Sequence, residues 1–397
     1  MIRAIITRYN KSLILALKDE SGFISFKLYA EDDKKQGPVI GRIINGRVEK
    51  RVENIRSCFV RLSKEEYGFL NDSSLKPGTT VPVQVIKAAR GDKRPVLDTE
   101  LSISGKYAVV IHKGKSREAG TRLLFSRRLS PRKKELLRAK LSEYENSGYL
   151  LLLRTNSGAV EPSFVREELD RLISQMDAII SSKDKRTDYS VLYEPVPELV
   201  RDLNNIDFDC LSEVITDDET VYKTVLEQFY EELSPGLKSR IRLTLYRDEL
   251  LSLSGLTGLK AGLSRAVDKR VWLKSGSYLV IEQTEALVSI DVNSGKNEAG
   301  AIKEDTVFKI NAEAAVEAAR QLKLRNLSGI IIIDFINMKK ESNTKRLVSL
   351  LREELSRDSV QTVFVDMTGL GLAELTRKRE GRSLREMIER CQGSDIL

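Results

Sequence analysis

Apolar and polar residues alternate through the first thirty positions. RAIITRYN, SLILALKD and FISFKLYA each set apolar side chains at alternate positions, with turn residues in YNKS and DESG between them. A period of two marks half-buried strands, so residues 1–36 predict two or three short strands. The pattern continues over 38–100 in five segments, VIGRIINGRVEKRV, IRSCFVRLS, YGFLN, TTVPVQVIKAAR and RPVLDTELSI. Five short strands in so few residues predict a small closed barrel of the OB type. Beyond it, KYAVVIH and GYLLLLRT read as strands. Val165, Leu169, Leu172, Ile173, Met176, Ile179 and Ile180 form one apolar stripe, which predicts a helix over 163–182. Residues 190–265 mix short strands and helices.

The last third is the clearest. GSYLVIEQTEALVSIDVNSG reads as a hairpin, and DTVFKINAEAAVEAARQLKLRNL as a helix with Val307, Ile310, Ala314, Ala318 and Leu322 on one face. GIIIIDFI reads as a strand buried on both faces, NTKRLVSLLREELSRD as a helix, VQTVFVDMTG as a strand and GLAELTRKR as the start of a helix. Strand, helix and strand in that order predict a parallel β-α-β unit, whose ligands gather at the carboxyl ends of the strands. The fold class is multi-domain α/β with a barrel near the N-terminus.

Composition narrows the chemistry. The 397 residues suffice for two to four domains of roughly 100–200 residues. No apolar run approaches the roughly 20 residues of a membrane span, and the charged start lacks a signal-peptide core, so a cytoplasmic protein is expected. Cys58, Cys210 and Cys391 form no CxxC pair, which argues against a disulfide framework and against a zinc site within one chain. The one histidine, His112, reads as a strand-end residue. Acid–base or metal chemistry therefore rests on carboxylates, lysines or tyrosines. The net charge is +8, but residues 113–140 alone carry eleven Lys/Arg against two Glu, a local +9. Such a cluster suits a polyanion, with a solvated basic surface as the plainer alternative.

Two aspartates stand out at strand ends. Asp334 closes the isoleucine run, and Asp291 sits near the end of ALVSIDVNSG. Side chains alternate along a strand, so Asp291 and Asn293 share a face about 7 Å apart. If the two strands are neighbours, both carboxylates converge. A close carboxylate pair calls for a cation, and a hard divalent ion with oxygen ligands fits phosphodiester hydrolysis. The plainer alternative is a turn residue and a helix cap.

TEALVSIDVNSG followed by AARQLKLRNLSGIIIIDFINM, with Asp334 standing 43 positions after Asp291, resembles the catalytic region of the ribonuclease E/G family, and the similarity runs along the whole chain. The resemblance implies a ribonuclease-H-like part in 1–37 and 196–271, an OB-fold RNA-binding domain in 38–100, a 5′-sensor domain in 101–195 and a DNase-I-like catalytic part in 272–397. It implies that Asp291 and Asp334 hold Mg²⁺, with Mn²⁺ as a substitute, that Asn293 supports them, and that single-stranded, often A/U-rich RNA is cut to leave a 5′-phosphate. Gly105, Val109, Arg154 and Thr155 fall on the 5′-phosphate sensor. Phe59 and Phe69 fall on base-stacking aromatics and Lys93 on an RNA-contacting lysine, and Arg90, Arg127 and Arg128 are basic residues assigned to the same RNA. Three departures stand beside these matches. MIERCQGSDIL replaces the family's CPxC zinc link, so zinc is not expected and any homo-oligomer would lack that link. Gln361 stands where a further sensor arginine falls, and Asn337 replaces a carboxylate. The alternative function is a non-catalytic RNA-binding factor in ribosomal RNA processing or assembly.

Overall fold

The computed structural model describes residues 1–30, 39–89, 93–113, 122–295 and 303–392. The chain divides into two compact units. One comprises Met1–Ala30, Val214–Glu219 and Thr244–Leu397, the other Glu31–Glu213 and Thr220–Leu243.

In the first unit, Ile2–Tyr9, Ser12–Asp19 and Gly22–Ala30 form an antiparallel meander, as the period-two pattern predicts. Ile5, Ile14, Phe23 and Phe26 pack there with Leu259 and Leu263 of the helix Leu259–Val267. The same unit holds a six-stranded sheet in the spatial order Arg270–Trp272, Tyr278–Gln283, Leu287–Asn293, Gly329–Asp334, Leu372–Arg377, Thr362–Met367. Leu287–Asn293 and Gly329–Asp334 are parallel neighbours, joined through the helix Glu304–Leu324. A second helix, Glu341–Ser356, follows.

Two expectations are corrected here. GLAELTRKR is not a helix start: Leu372–Arg377 is a strand, antiparallel to both Gly329–Asp334 and Thr362–Met367. Its residues are good helix formers, but Ala373, Leu375 and Arg377 are buried at alternate positions, and Gly371 at φ +84° turns the hairpin. Tertiary packing overrides propensity. Nor is the isoleucine strand buried on both faces. Ile331 and Ile333 lie under the two helices, whereas Ile330 is 53% exposed and Ile332 half-buried. Both helices pack on one side of the sheet, where Ile310, Ala314, Leu322, Leu347 and Leu351 meet Val288, Ile290, Ile331 and Ile333. The opposite face carries Asp291, Asp334 and exposed Ile330, and it is uncovered among the described residues.

In the second unit, Ile43–Val52, Ser57–Arg61, Tyr67–Leu70, Val96–Asp98 and Thr80–Lys87 pair in that order, and Thr80–Lys87 closes on Ile43–Val52. The result is a closed five-stranded OB-like barrel around Val48, Val60, Val83, Val85 and Leu97. A four-stranded sheet of Arg122–Phe125, Leu150–Leu153, Ala108–His112 and Leu101–Ser104 follows, with the helix Pro162–Ser182 of the same unit. His112 ends its strand, 6.0 Å from the Tyr149 ring. No helix among the described residues is long and apolar enough to cross a membrane.

Candidate functional sites

Asp291 and Asp334 are direct register partners in the parallel ladder, so their Cα atoms lie about 4.8 Å apart across the strands. Both side chains project from the uncovered face because their neighbours Ile290, Val292 and Ile333 fill the helix-covered one. Asn293 donates from Nδ2 to Asp291 Oδ2 at 2.8 Å, fixing that carboxylate's orientation.

The segment after Asp334 is held from the helix Glu304–Leu324. Asn311, fully buried, donates to Ile336 O (2.7 Å) and accepts from Ile336 N–H (3.0 Å). Glu304 accepts from the N–H groups of Lys339 and Lys340, and those bonds hold its carboxyl below the ordinary range. Sequence reasoning missed both residues. Asn311 carried a signal, an amide inside the apolar face of a helix, where a buried polar group needs a backbone partner.

The two acids are a small donor set. Among the described residues no group of three or more His, Cys, Asp or Glu could hold a metal ion. Two oxygen-donor side chains suit a hard divalent ion that keeps several ligands for water and substrate, and do not suit a closed structural site.

A second site lies in the barrel unit. Ser126, Arg128, Arg154, Thr155, Asn205 and Asp207 contribute to a cavity of about 200 Å³. Arg154 donates to Gly105 O (2.5 Å), Asn204 O (3.3 Å) and Asn205 Oδ1. All three acceptors are neutral. Burial pulls the guanidinium pKa down, and the nearby Glu168 charge offsets this in part. Thr155 shares a hydroxyl–hydroxyl bond with Ser126 at 2.9 Å. Val109 is the register partner of Leu152, which lines the cavity, and Arg127 is exposed outside the lining.

Glu168 organises this site from beneath. Its buried carboxylate accepts from the N–H groups of Lys106 (2.9 Å), Tyr107 (2.6 Å) and Ala108 (2.9 Å). A Cβ on Gly105 would stand 2.4 Å from the Glu168 carboxyl, so only glycine fits there. The carboxylate therefore fixes the loop whose Gly105 carbonyl holds Arg154. Glu168 lies on the apolar stripe read for its helix, and that is the signal by which it could have been found.

On the barrel, Phe59 and Phe69 are register partners on the outer surface, half-buried, with ring centroids 6.0 Å apart. Neither belongs to the barrel core. Arg94 stacks over Phe59 (4.9 Å) and Tyr67 (5.2 Å), which extends the aromatic surface beyond the residues the sequence picked out. Lys93 is exposed next to it. Arg90 lies outside the described residues, as does part of the basic segment. Replacing Phe59 or Phe69 by Ala is expected to weaken single-stranded RNA binding by about 1–3 kcal/mol each, measured by fluorescence anisotropy on an oligonucleotide. Unchanged affinity in both variants would remove this surface from the binding path.

The sheets, helices and closed five-stranded barrel define a mixed α/β class with an OB-like barrel, and comparison with known proteins gives the family. A family model described as the Ribonuclease E/G family matches residues 102–380, more than half of the chain, and the chain belongs to that family. Ribonuclease G of Escherichia coli (strain K12) is 28% identical over 394 residues, covering 92% of this chain and 78% of the relative. Ribonuclease G of Haemophilus influenzae is 29% identical, covering 93% and 78%. Ribonuclease E of Synechocystis sp. is 32% identical over 88% of this chain, which spans 53% of that longer protein.

Proposed function

We propose that the chain is a metal-dependent endoribonuclease of RNA processing and decay in the cytoplasm, cutting single-stranded, A/U-rich RNA and leaving a 5′-phosphate on the downstream product. The observation that carries this reading is the register pairing of Asp291 with Asp334 on an uncovered sheet face, with Asn293 bonded to Asp291. Family membership and the names of the relatives, Ribonuclease G and Ribonuclease E, support it.

In this reading Asp291 and Asp334 hold Mg²⁺, with Mn²⁺ as a substitute. When bound, the ion polarises the phosphoryl oxygen and lowers the pKa of the attacking water. Asn293 keeps Asp291 oriented, and a supporting residue of this kind matters because a misaligned ligand costs activity. Asn311 and Glu304 hold the segment that leaves Asp334. The Phe59/Phe69 surface stacks bases, and the Arg154 cavity takes the RNA 5′-phosphate, which guanidinium and hydroxyl groups recognise. Residues 1–37 with 196–271 form the ribonuclease-H-like part, 38–100 the RNA-binding barrel, 101–195 the 5′ sensor and 272–397 the DNase-I-like part.

The test is a labelled A/U-rich single strand with Mg²⁺ and with excess EDTA. Cleavage is expected with Mg²⁺, none with EDTA, and recovery when Mg²⁺ or Mn²⁺ is restored. Downstream products are expected to be degraded by an exonuclease that requires a 5′-monophosphate. Undiminished cleavage in EDTA would overturn the metal-dependent reading.

A further inference from the structure

Arg154 is held by two kinds of acceptor. Gly105 O and Asn204 O are backbone carbonyls. The first is fixed by the Glu168-bound loop, and the second sits at the end of the helix Glu198–Asn204. The third acceptor, Asn205 Oδ1, is a side-chain atom on an exposed residue, and its backbone is independently anchored by an N–H bond to Asp202 O at 3.1 Å. It can swing away without disturbing the helix end. No carboxylate of the described residues forms an ion pair with Arg154, so the acceptors that hold its guanidinium are all neutral, with the Glu168 charge acting on it from nearby.

We propose that Asn205 is a specificity-determining residue of this cavity: its carboxamide oxygen occupies the guanidinium of Arg154 and must be displaced by the incoming RNA end. The proposal rests on the 5′-phosphate reading given above. A phosphate displaces the carboxamide because it meets the guanidinium cation with full negative charge and several acceptor oxygens, which a neutral carboxamide does not offer. A 5′-hydroxyl does not, because it offers the arginine nothing better than the amide already supplies. Asn205 thus sets how much of the phosphate's gain is realised, whereas a 5′-hydroxyl end, which gains no more from the guanidinium than water does, is indifferent to the residue at position 205. The same exchange lowers the affinity for the phosphate itself, since one internal hydrogen bond is given up on binding.

The two substitutions at this position therefore act in opposite directions. Asn205→Ala removes the competitor, and Asn205→Asp installs a carboxylate that pairs with Arg154 and repels phosphate. The experiment compares kcat/KM of the full chain, with Mg²⁺, on two RNAs of one sequence bearing a 5′-monophosphate or a 5′-hydroxyl. Asn205→Ala is expected to raise the monophosphate-to-hydroxyl ratio by about two- to tenfold, mainly through KM. Asn205→Asp is expected to bring the ratio down to about one, because an ion pair outcompetes the incoming group. A general folding defect cannot move the ratio both ways. If Arg154→Gln abolishes the wild-type preference while both Asn205 variants keep it, the role of Asn205 is overturned and the 5′-phosphate reading stands. If wild type, Arg154→Gln and Asn205→Ala all give a ratio of one, the 5′-phosphate reading fails and this proposal with it. A wild-type ratio of one that rises in Asn205→Ala supports the proposal.

Discussion

Asp291→Asn and Asp334→Asn each lower the single-turnover rate of RNA cleavage by at least about a thousandfold, roughly 4 kcal/mol of transition-state stabilisation, while RNA affinity stays close to wild type. The size of the effect follows from the geometry. The two carboxylates are register partners on adjacent strands, and either carboxamide halves the negative charge available to a divalent ion. Shape is conserved, and the carboxamide of the Asp291→Asn variant would still offer an oxygen to Asn293, so the loss is electrostatic and not structural. Binding is expected to survive because the aromatic surface proposed to stack bases belongs to the barrel, remote in sequence from both acids. Cleavage by both variants at the wild-type rate would sink the assignment of these acids to the chemistry.

The second large effect is on stability. Glu168→Ala leaves three backbone N–H groups without their acceptor inside the barrel unit. At about 1–3 kcal/mol for each buried orphan donor, even partial rescue by water leaves a loss of about 3 kcal/mol or more. Glu168→Gln is milder. Its one oxygen can still serve Tyr107 and Ala108 as Oε1 does now, while its NH₂ faces the Lys106 donor. Urea unfolding should rank wild type above Gln above Ala, and hydrogen exchange should speed up at the amides of 106–108. Equal stability of the three proteins would show that the carboxylate is not the anchor of the loop. Because that loop carries the Gly105 carbonyl against Arg154, the proposed preference for a 5′-monophosphate should fall in the same order.

Local pattern was legible where one force acted over consecutive residues. The strands of the meander, the barrel segments, the helices and the strand that carries Asp291 follow from periodicity, since burying one face of an element imposes its period on the sequence, and the strand that carries Asp334 follows from its unbroken isoleucine run. Errors arose where neighbours decide. Leu372–Arg377 looks helical by composition and is a strand because two other strands bracket it. The isoleucine run looks doubly buried, yet Ile330 faces outward, because residue type records the strand preference of isoleucine and not how many layers cover the sheet. Phe59 could have been core or surface from sequence alone, and barrel closure turned it outward.

Most elements, the alternation that puts Asp291 and Asn293 on one face and, through resemblance, the family are all readable in the linear order of residues. Tertiary structure alone decided that Asp291 stands beside Asp334, that Asn311 and Glu304 hold the segment behind it, and that Glu168 and Asn205 govern Arg154. The reason is physical. A period of two or 3.6 is written in adjacent residues, but the pairing of strands 43 positions apart, or of Arg154 with a carboxamide 51 positions away, is set by chain packing, which leaves no local mark.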